Sequence, residues 1–128
     1  MHAFTPDLLQ RFRAIVGDHY AISDPADLTA YLIEPRDRYR GTTPLLLRPG
    51  SLAEVSAILK LANETRTPIV PQGGNTGMVG GQIPHNGEVV ISLTRLNRIR
   101  EVDATSNTMT CEAGVVLARV QEAAAQVD

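Results

Sequence analysis

Pro71-Gln72-Gly73-Gly74-Asn75-Thr76-Gly77-Met78-Val79-Gly80-Gly81 places five of the chain's ten glycines within nine positions, directly behind the apolar run Pro68-Ile69-Val70. Glycine reaches positive φ freely and lets a ligand approach the backbone with no Cβ in the way. Such a loop can turn successive N–H groups inward as a concave nest that favours anions, pyrophosphate among them. It carries no charged residue, so peptide dipoles rather than lysines would hold the anion. The first expectation is a nucleotide-type cofactor gripped by main chain.

The flanking sequence supplies a frame for that loop. Leu45-Leu46-Leu47 reads as a buried strand, and Ser51 with Glu54 three residues on forms a capping box. The helix that follows, down to about Arg66, is predicted to bury Leu52, Val55, Ile58, Leu59 and Ala62. Ile69-Val70 gives a second strand and Val89-Val90-Ile91-Ser92-Leu93 a third. Strand, helix and strand in this order predict a βαβ unit. The glycine loop then leaves the carboxyl end of a strand, where open α/β sheets place their ligands. Upstream, Thr5-Pro6-Asp7 opens a helix carrying Leu8, Leu9, Phe12, Ile15 and Val16 and ending at Gly17. Ser23-Asp24-Pro25 begins a short second helix with Leu28, Tyr31 and Leu32, and residues 34–44 read as a polar connector.

Beyond Leu93 the character changes. Residues 98–103 and 107–112 predict an antiparallel hairpin around Ala104-Thr105-Ser106. Gly114 precedes a helix with Leu117, Val120, Ala124 and Val127 on one face. The expected fold class is α+β, a small parallel βαβ lobe followed by the start of an antiparallel second lobe. The expected divisions are an N-terminal helical segment at 1–40, the first lobe at 41–96 with its loop at 71–81, and the second lobe from 97 to 128. Two strands and one helix make a poor lobe, so the chain reads as the N-terminal piece of a longer protein.

Composition narrows the function classes. A net charge of -2 gives no basic stripe for nucleic acid. One cysteine, Cys111, excludes a disulfide framework and reads as a small core residue. No stretch approaches the roughly 20 apolar residues of a membrane span, and residues 1–7 lack the pattern of a signal peptide, so a cytoplasmic location is expected. His2, His19 and His85 are scattered without carboxylates at ligand spacing, which argues against a metal site in this segment. His85 reads as an exposed turn residue, with approach to a cofactor as the alternative. Arg36, Arg38 and Arg40 read as a solvated connector, with recognition of an acidic group as the alternative, and Tyr31 reads as packing.

The glycine loop fits neither of the two commonest nucleotide motifs. Gly81 is followed by Gln82 rather than by lysine and a hydroxyl residue, which excludes a P-loop. Gly74-Asn75-Thr76-Gly77 has the wrong spacing for a Rossmann fingerprint and leads through Pro84 to a strand. Asn75 and Thr76 fit either simple turn chemistry or contacts to phosphate and ring edges. A purely structural loop remains an alternative. No nucleophile stands beside a base, and no carboxylate pair has an acid–base arrangement. A cofactor grip without catalytic side chains suits a redox cofactor, which carries its own chemistry.

From Tyr31 onward the chain resembles the flavin-binding domain (PCMH type) of FAD-linked oxidoreductases of the vanillyl-alcohol oxidase superfamily. Within it, the resemblance is to the D-2-hydroxyglutarate and D-lactate dehydrogenase branch, which includes glycolate oxidase flavin subunits. It rests on residues 71–81, on Leu47-Arg48-Pro49, on the run Ile91-Ser92-Leu93-Thr94-Arg95-Leu96-Asn97-Arg98-Ile99, and on Glu112-Ala113-Gly114. The resemblance implies that main-chain N–H groups wrap the FAD pyrophosphate, which assigns Pro71, Gly73, Gly74, Asn75, Thr76, Gly77, Met78, Gly80 and Gly81 to the cofactor. Asn75 stands where some relatives carry a flavin-linking histidine, so FAD is expected to be non-covalent.

The implied activity is oxidation of a D-2-hydroxy acid (D-2-hydroxyglutarate, D-lactate or glycolate) to its 2-oxo acid, with electrons passing to an external acceptor. Alternatives are the same flavin fold acting on another alcohol or sugar, or a non-catalytic phosphate- or nucleotide-binding module. The branch's substrate arginines, divalent metal site and catalytic base would lie beyond residue 128. No catalytic residue is assigned here, and the segment alone is expected to be inactive. The resemblance allows a homodimer.

Overall fold

The computed structural model describes residues 4–127; Met1, His2, Ala3 and Asp128 lie outside the described residues. Helix α1 (Pro6–Val16) starts where Thr5 Oγ1 accepts a hydrogen bond from Leu8 N at 3.2 Å, and it stops at Gly17 with φ 85°. After a two-residue strand β1 (Ala21–Ile22), Asp24 caps the short α2 (Pro25–Leu28). Strand β2 (Leu46–Leu47) leads to α3 (Leu52–Thr65). Ser51 Oγ accepts from Glu54 N at 3.2 Å, while the Glu54 carboxylate reaches back to Gly50 N at 2.7 Å. One orphan helix donor and the N–H just ahead of the cap are thereby satisfied. Strands β3 (Ile69–Gln72) and β4 (Val89–Ser92) complete the first sheet. The hairpin β5 (Ile99–Asp103) and β6 (Thr108–Cys111) and helix α4 (Leu117–Ala125) follow.

The sheet order is β1-β2-β4-β3, with β2, β4 and β3 parallel and β1 antiparallel at the edge. All four residues of β4 are buried, as expected for a strand with both faces covered. Alternation then sorts the side chains. Leu45, Leu47, Val89 and Ile91 meet Phe12 and Val16 of α1 and Ile58, Leu61 and Ala62 of α3. Leu46 and Val90 face the other way, against Leu28, with Tyr31 and Leu32 beside them. Tyr31 is packing, as expected.

The βαβ unit occurs as expected, with β4 inserted between its two parallel strands β2 and β3. Other expectations need correction. β1 was not foreseen; through it and α1, the segment before residue 40 shares the core of the first lobe. On α3, Leu52 and Leu59 are exposed and Leu61 is buried, so the buried stripe runs through 58, 61 and 62. Cys111 is exposed, not core, because it ends β6 beyond Val102 and Met109, the hairpin residues that line the groove against α4. Gly114 joins the lobes closely: a Cβ there would lie 1.8 Å from the Leu93 carbonyl oxygen, and its N–H donates to Leu96 O at 2.8 Å. Among the described residues no helix is long and apolar enough to cross a membrane.

Phe12 is fully buried at the centre of the larger cluster. Phe12→Ala is expected to cost about 3–5 kcal/mol of stability, read as a lower urea midpoint with little change in slope. A loss under about 1 kcal/mol would contradict its central placement.

Candidate functional site

The loop at 73–81 leaves β3 beside the carboxyl end of β4, where Gln72 is in register with Ser92. Gln72 is itself buried, and its Nε2 donates to Tyr31 O at 2.8 Å and to Gln82 O at 3.1 Å. One side chain thus ties both ends of the loop together. Positive φ is confined to Asn75 (56°) and Gly80 (80°) within the loop. At Gly80 a Cβ would also meet the Tyr39 ring at 2.9 Å. The glycines at 73, 74 and 81 are different. A Cβ would meet nothing within 4 Å at Gly73 or Gly81, and only Thr76 Cγ2 at 3.9 Å at Gly74. Neither backbone angle nor internal packing requires glycine at these three positions. What glycine leaves there is bare backbone.

The segment 30–40 forms an arch behind the loop; residues 35–40 are exposed, as expected of a polar connector, but the arch is also tied together and to the loop. Glu34 is buried. Its Oε1 accepts from Arg38 N and, at 3.2 Å, from Tyr39 N, and its Oε2 accepts from Arg36 N at 2.9 Å. These bonds fold 34–40 into a turn. From it, Arg36 Nη2 donates to the Met78 carbonyl, and Tyr39 lies against Gly80. Asn75 turns its side chain the same way: Nδ2 donates to Ile33 O at 2.8 Å and Ala30 O at 3.3 Å, and Oδ1 accepts from Gln82 Nε2 at 3.0 Å. The Asn75 amide therefore anchors the loop, leaving its main chain for any ligand. Thr76 and Met78 are exposed, and Val79 is 86% exposed. Arg40 pairs with Asp37 at 2.6 Å on the surface.

Three loop carbonyls are held toward one side. Gly77 O accepts from Gln82 Nε2 at 2.7 Å, Met78 O accepts from Arg36, and Gly80 O accepts from Ile83 N at 3.1 Å and lies 3.0 Å from His85 Nε2. Among the described residues all peptide bonds are trans. In a planar trans peptide the C=O and the next N–H point in opposite directions. The N–H groups of Met78, Val79 and Gly81 therefore each point away from the group that holds the carbonyl of the same peptide: Gln82, Arg36, and Ile83 with His85. Among the described residues, no hydrogen bond is made by any main-chain N–H of residues 74–81. Unpartnered N–H groups beside bare glycines can receive an anion. His85 is an exposed turn residue, as expected, and it also supports the loop from behind.

Nothing at the loop looks like acid–base machinery. Burial acts to raise the Glu34 carboxyl, but the N–H groups of Arg36, Arg38 and Tyr39 and the Arg36 charge outweigh it and hold it below its ordinary 4.5. The described residues contain no group of three or more His, Cys, Asp or Glu able to hold a metal. A groove of about 600 Å³ lies elsewhere, between the β5–β6 hairpin and α4, lined by Val102, Met109, Val120 and Ala124 among others. It holds none of the sequence-predicted site residues.

Parallel strands, a glycine loop at their carboxyl end and an antiparallel hairpin behind them define a nucleotide-binding architecture, and comparison gives the family. The model for the family described as "FAD binding domain" matches residues 43–127, and the chain belongs to that family. A putative mitochondrial D-lactate dehydrogenase of Schizosaccharomyces pombe is 40% identical over 116 residues, covering 85% of this chain and 22% of that protein. A probable mitochondrial D-2-hydroxyglutarate dehydrogenase of Oryza sativa subsp. indica is 42% identical over 111 residues (87% and 20%). The D-2-hydroxyglutarate dehydrogenase of Xanthomonas citri pv. viticola is 42% identical over 105 residues (80% and 22%). The chain thus spans about a fifth of the length of these relatives.

Among solved structures, an alkyldihydroxyacetonephosphate synthase superposes with a TM-score of 0.82 at 20% identity, over 96% of this chain and 25% of that one. A p-cresol methylhydroxylase gives 0.78 at 22% identity, over 93% and 24%. These likenesses bear out the PCMH-type fold.

The Glu34 effect has a definite sign. A carboxyl depressed on folding contributes stability above its unfolded value and loses it as pH falls through its folded value. Glu34→Gln is expected to lower the urea midpoint at pH 7, with the gap to the parent closing as pH drops well below 4.5. A gap independent of pH would contradict the ionised, backbone-bound Glu34.

Proposed function

We propose that residues 71–81 hold the diphosphate of FAD through main-chain N–H groups, and that the complete protein oxidises a D-2-hydroxy acid to its 2-oxo acid. The observation that carries the reading is the outward set of unpartnered N–H groups next to three glycines that the chain itself does not require. A pyrophosphate needs close approach to several donors and is excluded by a Cβ. The residues present fit such a group. Gly73, Gly74 and Gly81 would leave room for it, and the peptides of Gly77, Met78 and Gly80 would present donors to it. Pro71, Asn75 and Thr76 would shape the loop, with Asn75 acting through its backbone N–H.

Bound flavin would supply the hydride acceptor, and this segment's part is to bind and orient it. Non-covalent attachment is supported by Asn75, whose amide is not a nucleophile and is engaged at both ends. The substrate class rests on the relatives named D-lactate and D-2-hydroxyglutarate dehydrogenases. The external electron acceptor and a homodimer belong to the same reading, on the family resemblance alone. A cytoplasmic location is also proposed; it does not follow from the resemblance, since several relatives carry "mitochondrial" in their names.

Gly73→Ala, Gly74→Ala and Gly81→Ala separate ligand from fold. Each should leave stability unchanged or raise it by about 0.4–1 kcal/mol, because alanine restricts the unfolded chain where native φ permits it. Each should nonetheless reduce the flavin content of the complete purified protein, read from its visible absorbance against protein. Full flavin occupancy in all three would overturn the assignment of the loop. A substrate screen across D-lactate, D-2-hydroxyglutarate and glycolate should show activity on at least one, and activity on none would remove the hydroxy-acid assignment.

A further inference from the structure

We infer that Arg36 and Gln82, with His85 beside them, are positioning residues for the cofactor. They set the direction of the loop's N–H groups by holding the carbonyls behind them. The inference rests on the reading that the loop receives a diphosphate, and deepens it by naming what orients the grip.

A glycine-rich loop has many backbone conformations open to it, and ordering each residue costs about 1–2 kcal/mol. A grip made of N–H groups is useful only when those groups already point at the ligand; otherwise binding itself must order them. In this chain the orientation is imposed from the carbonyl side. Gln82 Nε2 holds Gly77 O at 2.7 Å and so directs Met78 N–H outward. Arg36 holds Met78 O and so directs Val79 N–H outward. His85 Nε2, 3.0 Å from Gly80 O, must donate to it, since a carbonyl oxygen only accepts; with Ile83 N it directs Gly81 N–H outward.

The holders are themselves held. Arg36 sits on the turn that the buried Glu34 closes. Gln82 carries Asn75 Oδ1 on the same Nε2 and lends its carbonyl to Gln72. The His85 ring meets the Tyr39 ring edge-on at 5.8 Å between centroids, joining the 82–85 turn to the arch. None of these side chains needs to touch the cofactor, and each acts through a peptide group.

The test uses the complete apoprotein, with FAD and riboflavin as probes, each titrated by flavin fluorescence. Riboflavin carries the same ring without phosphate. Arg36→Ala and Gln82→Leu should each weaken FAD binding by about tenfold, the scale of one lost hydrogen bond that is charged or well aligned. Riboflavin affinity should change by less than about twofold, because riboflavin lacks the diphosphate that these peptides would hold. Arg36→Lys keeps a donor for Met78 O and should recover most of the FAD affinity. If the parent binds FAD no more tightly than riboflavin, the diphosphate reading fails and takes this inference with it. If the parent prefers FAD and both variants retain that preference in full, the positioning inference alone is overturned. Loss of both flavins in parallel with a lowered melting temperature would assign these residues to general folding, and also overturn it.

Discussion

A stretch with five glycines in nine positions has almost no side chains with which to fix its own shape. Its conformation depends on hydrogen bonds delivered from behind: Gln82 to Gly77 O, Arg36 to Met78 O, His85 and Ile83 to Gly80 O, and the Asn75 amide to the carbonyls of residues 30 and 33. Those bonds occupy the carbonyls and leave the N–H groups of the same peptides without partners. The division follows from peptide planarity. Such donors on an exposed loop are solvated in the free protein, so they add little to stability. Their value lies in being turned to one side beside bare glycines.

The rest of the fold places this device. β4 is buried on both faces and fixes β2 and β3 at either side, so the loop leaves from a rigid edge. α1 and α3 cover one face of the sheet, and α2 with Tyr31 and Leu32 covers the other. The second cluster serves the loop as well as the core, because the backbone just beyond α2 supplies the carbonyls that Asn75 and Gln72 bind. Glu34 closes the turn from which Arg36 reaches Met78. A burial that would ordinarily oppose ionisation is offset by three backbone donors.

Much of this was legible in the sequence where the controlling interactions are local. The caps at Thr5 and Ser51 depend on donors three residues ahead, and both occur as read. The run at 89–92 is apolar enough to name itself a buried strand, and the hairpin turns close to where its small polar residues stand. Two reasons were read for the glycines of the loop, positive φ and room for a ligand; positive φ occurs at Gly80 alone among the five, and Gly73, Gly74 and Gly81 border open space.

What stayed illegible depends on contacts distant in sequence. Nothing in Glu34-Pro35-Arg36 announces that the carboxylate will be buried or that the arginine will reach a carbonyl 42 positions on. Asn75 gave no sign of which way its amide would turn. Two residues of β1 carry too little pattern to identify a strand, and the exposed Cys111 shows that an apolar reading needs a covering element as well as a strand.

The most direct measurement is backbone amide hydrogen exchange of the complete protein, with and without added FAD, followed in peptides spanning residues 73–81. Unpartnered exposed N–H groups exchange quickly, and a diphosphate bound to them would slow that exchange. The account predicts marked protection of this stretch on adding FAD and little on adding riboflavin. Unchanged exchange across 73–81 in a protein that visibly binds FAD would contradict it.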